Sequence, residues 1–211
     1  MAQALVDLIK KQFPLAVLAT HHQHGDETLV LEAGQWHAVA AFLRDDPRSD
    51  MNMLIDLTAV DYPEREPRFE IVAHFLSLTK GHRLRLKARV GNAQGEAAKI
   101  ASLADLWGSA NWLERECFDM FGVVFEGHGD LRRILLYPEF EGHPLRRDYP
   151  ATRIQPLVAY REGVANEKLP PFGLGEGLPF GRQTHDRRFA DGSDPELFPE
   201  PEPRRAGDGA N

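Results

Sequence analysis

The sequence predicts an α+β protein: a mixed, largely antiparallel sheet packed with a few helices, plus a long extended C-terminal arm. Three observations lead there. Residues 69–76 and 83–90 are strand-length apolar or alternating runs joined across Lys80-Gly81, as neighbouring antiparallel strands are. Two stretches near the N-terminus and one after residue 102 space apolar residues as helices do. From about Ala151, prolines and glycines accumulate and periodicity is lost.

Taken in order, Leu5, Leu8, Ile9 and Phe13 share one face of a helix over residues 4–13, which Pro14 ends. Ala16 to Thr20 and Thr28 to Glu32 are predicted strands around the polar turn His21-His22-Gln23-His24-Gly25-Asp26. Its three histidines read as a solvated hairpin tip, since adjacent and i+2 spacing with no second cluster does not build a metal site. Gly34 leads into a helix with Trp36, Val39, Ala40 and Leu43 on one face, closed by Pro47. Met51 to Val60 reads as a buried strand, followed by the charged turn Tyr62 to Pro67. Phe69 to Leu76 is apolar on both faces, which suits a central strand. Leu84, Leu86, Ala88 and Val90 alternate strictly with Arg83, Arg85, Lys87 and Arg89, giving a half-buried strand with one basic face. That face reads as a solvated sheet surface, because no aromatic residues interleave the charges as base stacking would require. Residues 91–100 are predicted to be a small polar connection.

The densest stretch runs from Glu114 to Pro150. Leu103, Leu106, Trp107, Ala110, Leu113, Cys117, Met120 and Phe121 fall on one helical arc, which Gly108 splits with Ser109 or Asn111 as a new N-cap. Gly122 stands where a left-handed C-terminal residue is expected. Glu114 lies inside the apolar arc, so its carboxylate must be paired or protonated. The expected role is an ion pair to Arg132, Arg133, Arg146 or Arg147; the sharper alternative is a proton-handling acid. Arg115 and Asp119, four apart, are expected to pair along the helix. Trp112 and Phe118 point away from the arc, a second apolar surface that invites a partner. Val123 to Phe125 is a predicted short strand and Gly127 to Asp130 a turn. Beyond Pro138, Gly142 and Pro144 the chain leaves extended and arginine-bearing.

Composition bounds the function. A chain of 211 residues with 42% hydrophobic residues forms one ordinary domain with an appendage: a domain over 1–150 and an arm over 151–211. In the arm, Tyr160, Leu169, Phe172, Leu174, Phe180, Phe189 and Phe198 are spaced like anchors for a neighbouring subunit, and residues 200–211 read as disordered. No apolar run is long enough to span a membrane, and the N-terminus lacks a secretory pattern, so a cytoplasmic chain is expected. The single Cys117 excludes an iron–sulfur cluster held by this chain's own thiolates. The net charge of −7 argues against general nucleic-acid binding. No dinucleotide, phosphate-loop, zinc-protease or nucleophile-elbow motif is present.

The spacing of Glu114, Arg115, Glu116, Asp119, Gly122, His128, Asp130, Arg132 and Arg133, followed by His143, Pro144, Arg146, Arg147 and Asp148, resembles the signature of the C-subunit family of respiratory complex I, the NADH:quinone oxidoreductase. Gly129 departs from it, where the family usually has proline. The resemblance implies a non-catalytic structural and assembly component of the peripheral arm, on the cytoplasmic side of the cell membrane. Such a component docks chiefly on the D subunit of the complex, near the B subunit, and braces the quinone-reducing module. It carries no cofactor; FMN and iron–sulfur clusters of partner subunits pass electrons from NADH to quinone while the holoenzyme translocates protons. The same role exists in membrane-bound hydrogenase and formate hydrogenlyase complexes. Two other classes stand further off. A metallohydrolase would use Glu114, Glu116, Asp119, His128 and His143, although the helical carboxylates do not share a face. A nucleic-acid module would use Arg83, Arg85, Lys87 and Arg89.

Overall fold

The strictly alternating strand lies at the centre of the sheet. The computed structural model of the chain describes residues 2–156. Its elements run α1 (Ala2–Gln12), β1 (Val17–Gln23), β2 (Asp26–Leu31), a 3₁₀ turn (Ala33–Gln35), α2 (Trp36–Asp45), β3 (Met53–Asp61), β4 (Phe69–Leu76), β5 (Arg83–Val90), β6 (Lys99–Ala101), α3 (Ala110–Phe121) and β7 (Val124–Glu126). The main sheet has the order β1-β2-β5-β4-β3. It is antiparallel throughout except at β2–β5, so the sheet is mixed and mostly antiparallel, as expected.

One buried cluster joins the helices to one face of this sheet. Leu5 and Ile9 of α1, all four predicted residues of α2, and Cys117, Met120 and Phe121 of α3 meet Leu29, Leu31, Leu57, Ile71, Phe75, Leu86 and Ala88. Phe75 packs against Trp107 with ring centroids 4.9 Å apart. Fully burying a leucine- or phenylalanine-sized side chain contributes about 1.5–3 kcal/mol, so this cluster carries most of the fold's stability.

Four details differ from the sequence reading. The hairpin tip is tighter, because His24 (φ 56°) and Gly25 (φ 87°) form a two-residue turn and the strands extend to meet it. The connection 91–100 hides a strand: Lys99–Ala101 pairs in parallel with β7, and Ile100 is buried. Helical structure begins at Ala110, while Leu103 to Trp107 form a turn closed by backbone bonds onto the Leu103 carbonyl. Ser109 occupies the N-cap position but does not cap; its hydroxyl donates to the Leu54 carbonyl at 3.1 Å, tying α3 to β3. The arm's anchors, Tyr160 to Phe198, lie outside the described residues.

Candidate functional site

Residues 127–156 contain no helix or strand, and none of them is fully buried. Apolar contact is confined to a few half-buried side chains, with Leu131 and Leu136 packed against the core cluster, and does not by itself hold this segment in place. Three polar locks do.

The first is Asp119, on the last turn of α3 and fully buried. One carboxylate oxygen accepts from Arg133 Nη1 at 2.7 Å. The other accepts the backbone N–H groups of Ile134, Leu135 and Leu136 at 3.0, 2.9 and 2.9 Å. Burial alone would push this carboxyl up, but the amides and the guanidinium outweigh it and hold it below the ordinary range. Arg133 also donates to the Gly142 carbonyl at 3.0 Å, so one side chain joins two turns of the segment.

The second lock closes the C-terminus of α3, where helices leave carbonyls without partners. Gly122, at φ 77°, turns the chain and donates its N–H to Phe118. The Asp119 carbonyl lies 3.0 Å from His143 Nδ1, Met120 accepts the Leu145 N–H at 3.1 Å, and Phe121 accepts Arg146 Nε at 2.6 Å. A cation there also complements the negative end of the helix dipole.

The third lock reaches back to the sheet. Arg68, only 3% exposed, holds Asp61 through Nε and Nη2 at 2.6 and 2.8 Å and Asp148 through Nη1 at 2.9 Å. Asp61 also accepts the Arg147 backbone N–H at 2.8 Å. The guanidinium beside them lowers both carboxyls, against burial at Asp61, and they raise Arg68 in turn. Arg68 and Arg146 both lie against the Phe69 ring, at 5.3 and 5.2 Å.

Glu114 corrects the sequence expectation. It is fully buried, but among the described residues no arginine pairs with it; it accepts from Ser102 Oγ and the Leu103 N–H, both at 2.6 Å. It thus pins the β6–α3 turn to the helix. Burial pushes its carboxyl up, and these two bonds offset only part of that. Arg115 does not pair with Asp119 either; it donates to the carbonyls of Arg132 and Arg133 at 3.1 and 3.2 Å. The helix already spends Asp119 on Arg133, which leaves Arg115 free to steady the same loop.

The other signature residues serve the surface. His128 accepts the Asp130 N–H on Nδ1 and meets the Asn111 carbonyl through Nε2 at 3.1 Å, an arrangement that fits the neutral ring with its proton on Nε2. Arg132 pairs with Asp130 in the open. Glu116 and the Arg147 side chain are exposed, and Pro144 is half-buried. Trp112 is 62% exposed with Arg115 against its ring, whereas Phe118 is half-buried edge-on to His143. The five candidate metal ligands do not converge, and among the described residues no group of three His, Cys, Asp or Glu side chains is placed to hold a metal ion. Sequence reasoning missed Asp61, Arg68 and Ser102. The only hint was a charged turn beside Arg68.

Fold and locks together define an α+β domain whose final segment is clasped onto it by carboxylates and arginines. The family model described as respiratory-chain NADH dehydrogenase, 30 Kd subunit, matches residues 29–155, and the chain belongs to that family. Similar proteins include the NADH-quinone oxidoreductase C subunits of Ruegeria sp. (strain TM1040), 44% identical over 72% of this chain and 75% of the relative, and of Rhodopseudomonas palustris (strain BisB18), 45% identical over 69% and 71%. The fold also resembles a chain in the structure of the membrane-bound sulfane sulfur reductase, an archaeal respiratory membrane complex, with a TM-score of 0.60, 24% identity, and coverage of 72% of this chain and 86% of that one. Among the described residues no helix is long and apolar enough to cross a membrane.

Proposed function

We propose that this chain is a cofactor-free bracing component of the peripheral arm of a proton-translocating NADH:quinone oxidoreductase. It docks chiefly on the D subunit of that enzyme, close to the B subunit, on the cytoplasmic side of the membrane, which it reaches only through the complex. FMN and iron–sulfur clusters belong to partner subunits, and this chain supplies shape instead of chemistry. One observation carries the reading. The signature's buried and half-buried ionisable side chains hold backbone: Asp119 binds three amides, Arg115 and Arg146 bind carbonyls, and Arg133 binds both a carboxylate and a carbonyl. A reacting centre would instead aim such groups into a cavity. The kinship with NADH-quinone oxidoreductase C subunits supports the choice of enzyme.

The test is purification of the native assembly through a tag on this chain. NADH-binding and quinone-reducing subunits should co-purify, and the isolated chain should hold no stoichiometric iron, zinc or flavin. Recovery of hydrogenase subunits in their place would move the chain to a hydrogen-evolving complex. A tightly held metal or flavin in the isolated chain would overturn the cofactor-free reading.

A further inference from the structure

We infer that the sheet face opposite the helices is a docking surface for an acidic segment of a neighbouring protein, received by Arg83 and Arg85. This rests on the reading that the chain works inside an assembly.

The strand register defines the face. The buried cluster takes Phe69, Ile71, Ala73 and Phe75 of β4 and Leu84, Leu86, Ala88 and Val90 of β5. Residues of the other parity form cross-strand rows on the opposite face. Asp56, His74, Arg85 and Thr28 make one row, and Thr58, Val72, Lys87 and Val30 the next. The rim of the face along β3 exposes Met53 and Val60 at 41% and 37%. Two buried valines beneath long basic side chains and an apolar rim give a partner something to cover.

The charges on this face are spent unevenly. Glu70 takes both Lys87 at 2.7 Å and Arg89 at 3.4 Å, so both cations at that end have a carboxylate partner. Arg83, exposed, makes no ion pair or side-chain hydrogen bond among the described residues. Among the described residues Arg85 reaches only Thr28 at 3.4 Å and Asp26 at 3.5 Å, both at the outer limit of a hydrogen bond. Arg68, Arg115, Arg133 and Arg146, by contrast, all make bonds of 3.2 Å or shorter. Between the two loosely held arginines lies a pocket of about 290 Å³, lined also by His74, Ile55, Asp26 and Asp56. A carboxylate entering beside Arg83 would take Arg85 from Asp26 with better geometry, because a guanidinium matches a carboxylate in bidentate form. Asp56 lies across His74 from Arg85 and lines the same pocket, with neither arginine paired to it among the described residues. Asp26, Asp56 and Glu70 on the same face repel a continuous polyanion, and among the described residues no aromatic platform covers it, so the fit is to a few carboxylates set among apolar side chains.

The experiment uses the tagged full chain in its native assembly. Arg83→Glu with Arg85→Glu should lower recovery of partner subunits about tenfold or more, since like charges meeting at an interface cost affinity. Lys11→Glu, at an exposed position of α1, should leave recovery unchanged. An unaltered melting temperature of the doubly reversed chain will show that it folds. Carbodiimide treatment of assemblies carrying Arg83→Lys, which keeps the charge, should link position 83 to an Asp or Glu of another subunit. Wild-type recovery of partners by the doubly reversed chain, or crosslinks confined to this chain, would overturn the docking surface. If the unaltered chain recovers no other subunit at all, the bracing function fails instead.

Discussion

Replacing Asp119 tests the clasp most directly. Removing one member of a buried charge pair costs roughly 3–5 kcal/mol, because its partner is left without compensation. Asp119→Ala removes the acceptor for Arg133 and for the amides of Ile134, Leu135 and Leu136 together. The cost has a ceiling. No residue of 127–156 is fully buried, so the segment can swing into water, where those amides and the guanidinium are solvated again. The change should therefore stop at release of the segment and spare the apolar cluster, which is built of apolar side chains and not of the charged groups of the lock. A loss of about 3 kcal/mol corresponds to faster amide exchange at 134–136 by roughly a hundredfold. Strands β4 and β5 should keep wild-type protection.

Hydrogen-exchange mass spectrometry of the folded variant measures both regions at once. The pH dependence adds a second reading. The Asp119 carboxyl is held below its unfolded value, so its contribution is complete above the ordinary carboxylate range near pH ~3.9 and disappears as pH falls through the depressed folded value. Asp61 and Asp148 shift the same way, so the wild-type segment should loosen in acid before the sheet melts. Exchange at 134–136 as slow in Asp119→Ala as in wild type would refute the lock.

Three further substitutions or probes follow from the same geometry. Glu114→Gln keeps an acceptor for Leu103 and a group for Ser102, so thermal melts should place it within about 1 kcal/mol of wild type, while Glu114→Ala strands a buried donor and should cost about 1–3 kcal/mol. Because burial raises the Glu114 carboxyl, its contribution is complete below the unfolded pKa and falls as pH rises through the folded one; Glu114→Gln should remove that part of the stability–pH curve. Gly122→Ala places a Cβ 2.5 Å from Arg146 Nη2 and 2.6 Å from the His143 ring at φ 77°, so it should cost more than the ~1–2 kcal/mol of the left-handed backbone alone and expose His143 to deuterium exchange. Burial raises the Cys117 thiol, with Glu114 and Glu116 adding to it, so Ellman's reagent should label it only after denaturant unfolds the domain.

Local chemistry was legible in the sequence where periodicity alone decided it. The α2 face came through residue by residue, because Trp36, Val39, Ala40 and Leu43 keep helical spacing without competing signals. Gly122 was legible for the same reason: only a residue without Cβ fits its φ and the ring beside it. The locks were not legible. Arg68 and Asp148 are 80 residues apart, and nothing in the strand-end Asp61 marks it as their third member. Glu114's position inside the apolar arc was readable, but its partners Ser102 and Leu103 sit in a turn where helical spacing had predicted more helix. The register that separates the loosely held Arg83 and Arg85 from the satisfied Lys87 depends on which residue of β4 lies opposite, which one strand cannot reveal.

A segment fixed by charges differs in kind from one fixed by a core. Apolar burial is non-directional, so it favours collapse without choosing one arrangement of an irregular chain. Hydrogen bonds to carboxylates and guanidinium groups are directional, and an ill-fitting alternative leaves a charge unpaired. Asp119 can satisfy three consecutive amides only if residues 134–136 curve around it, and Arg68 can hold Asp61 and Asp148 together only if the chain returns to the end of β3. Each lock therefore costs desolvation and yields little net stability, yet admits one path for the chain. On that path Leu135 and Leu145 stand 62% and 54% exposed, on backbone whose N–H groups are bonded to the Asp119 carboxylate and the Met120 carbonyl. The proposed bracing role needs that geometry in place before the chain meets its neighbours, since ordering deferred to binding would be subtracted from affinity.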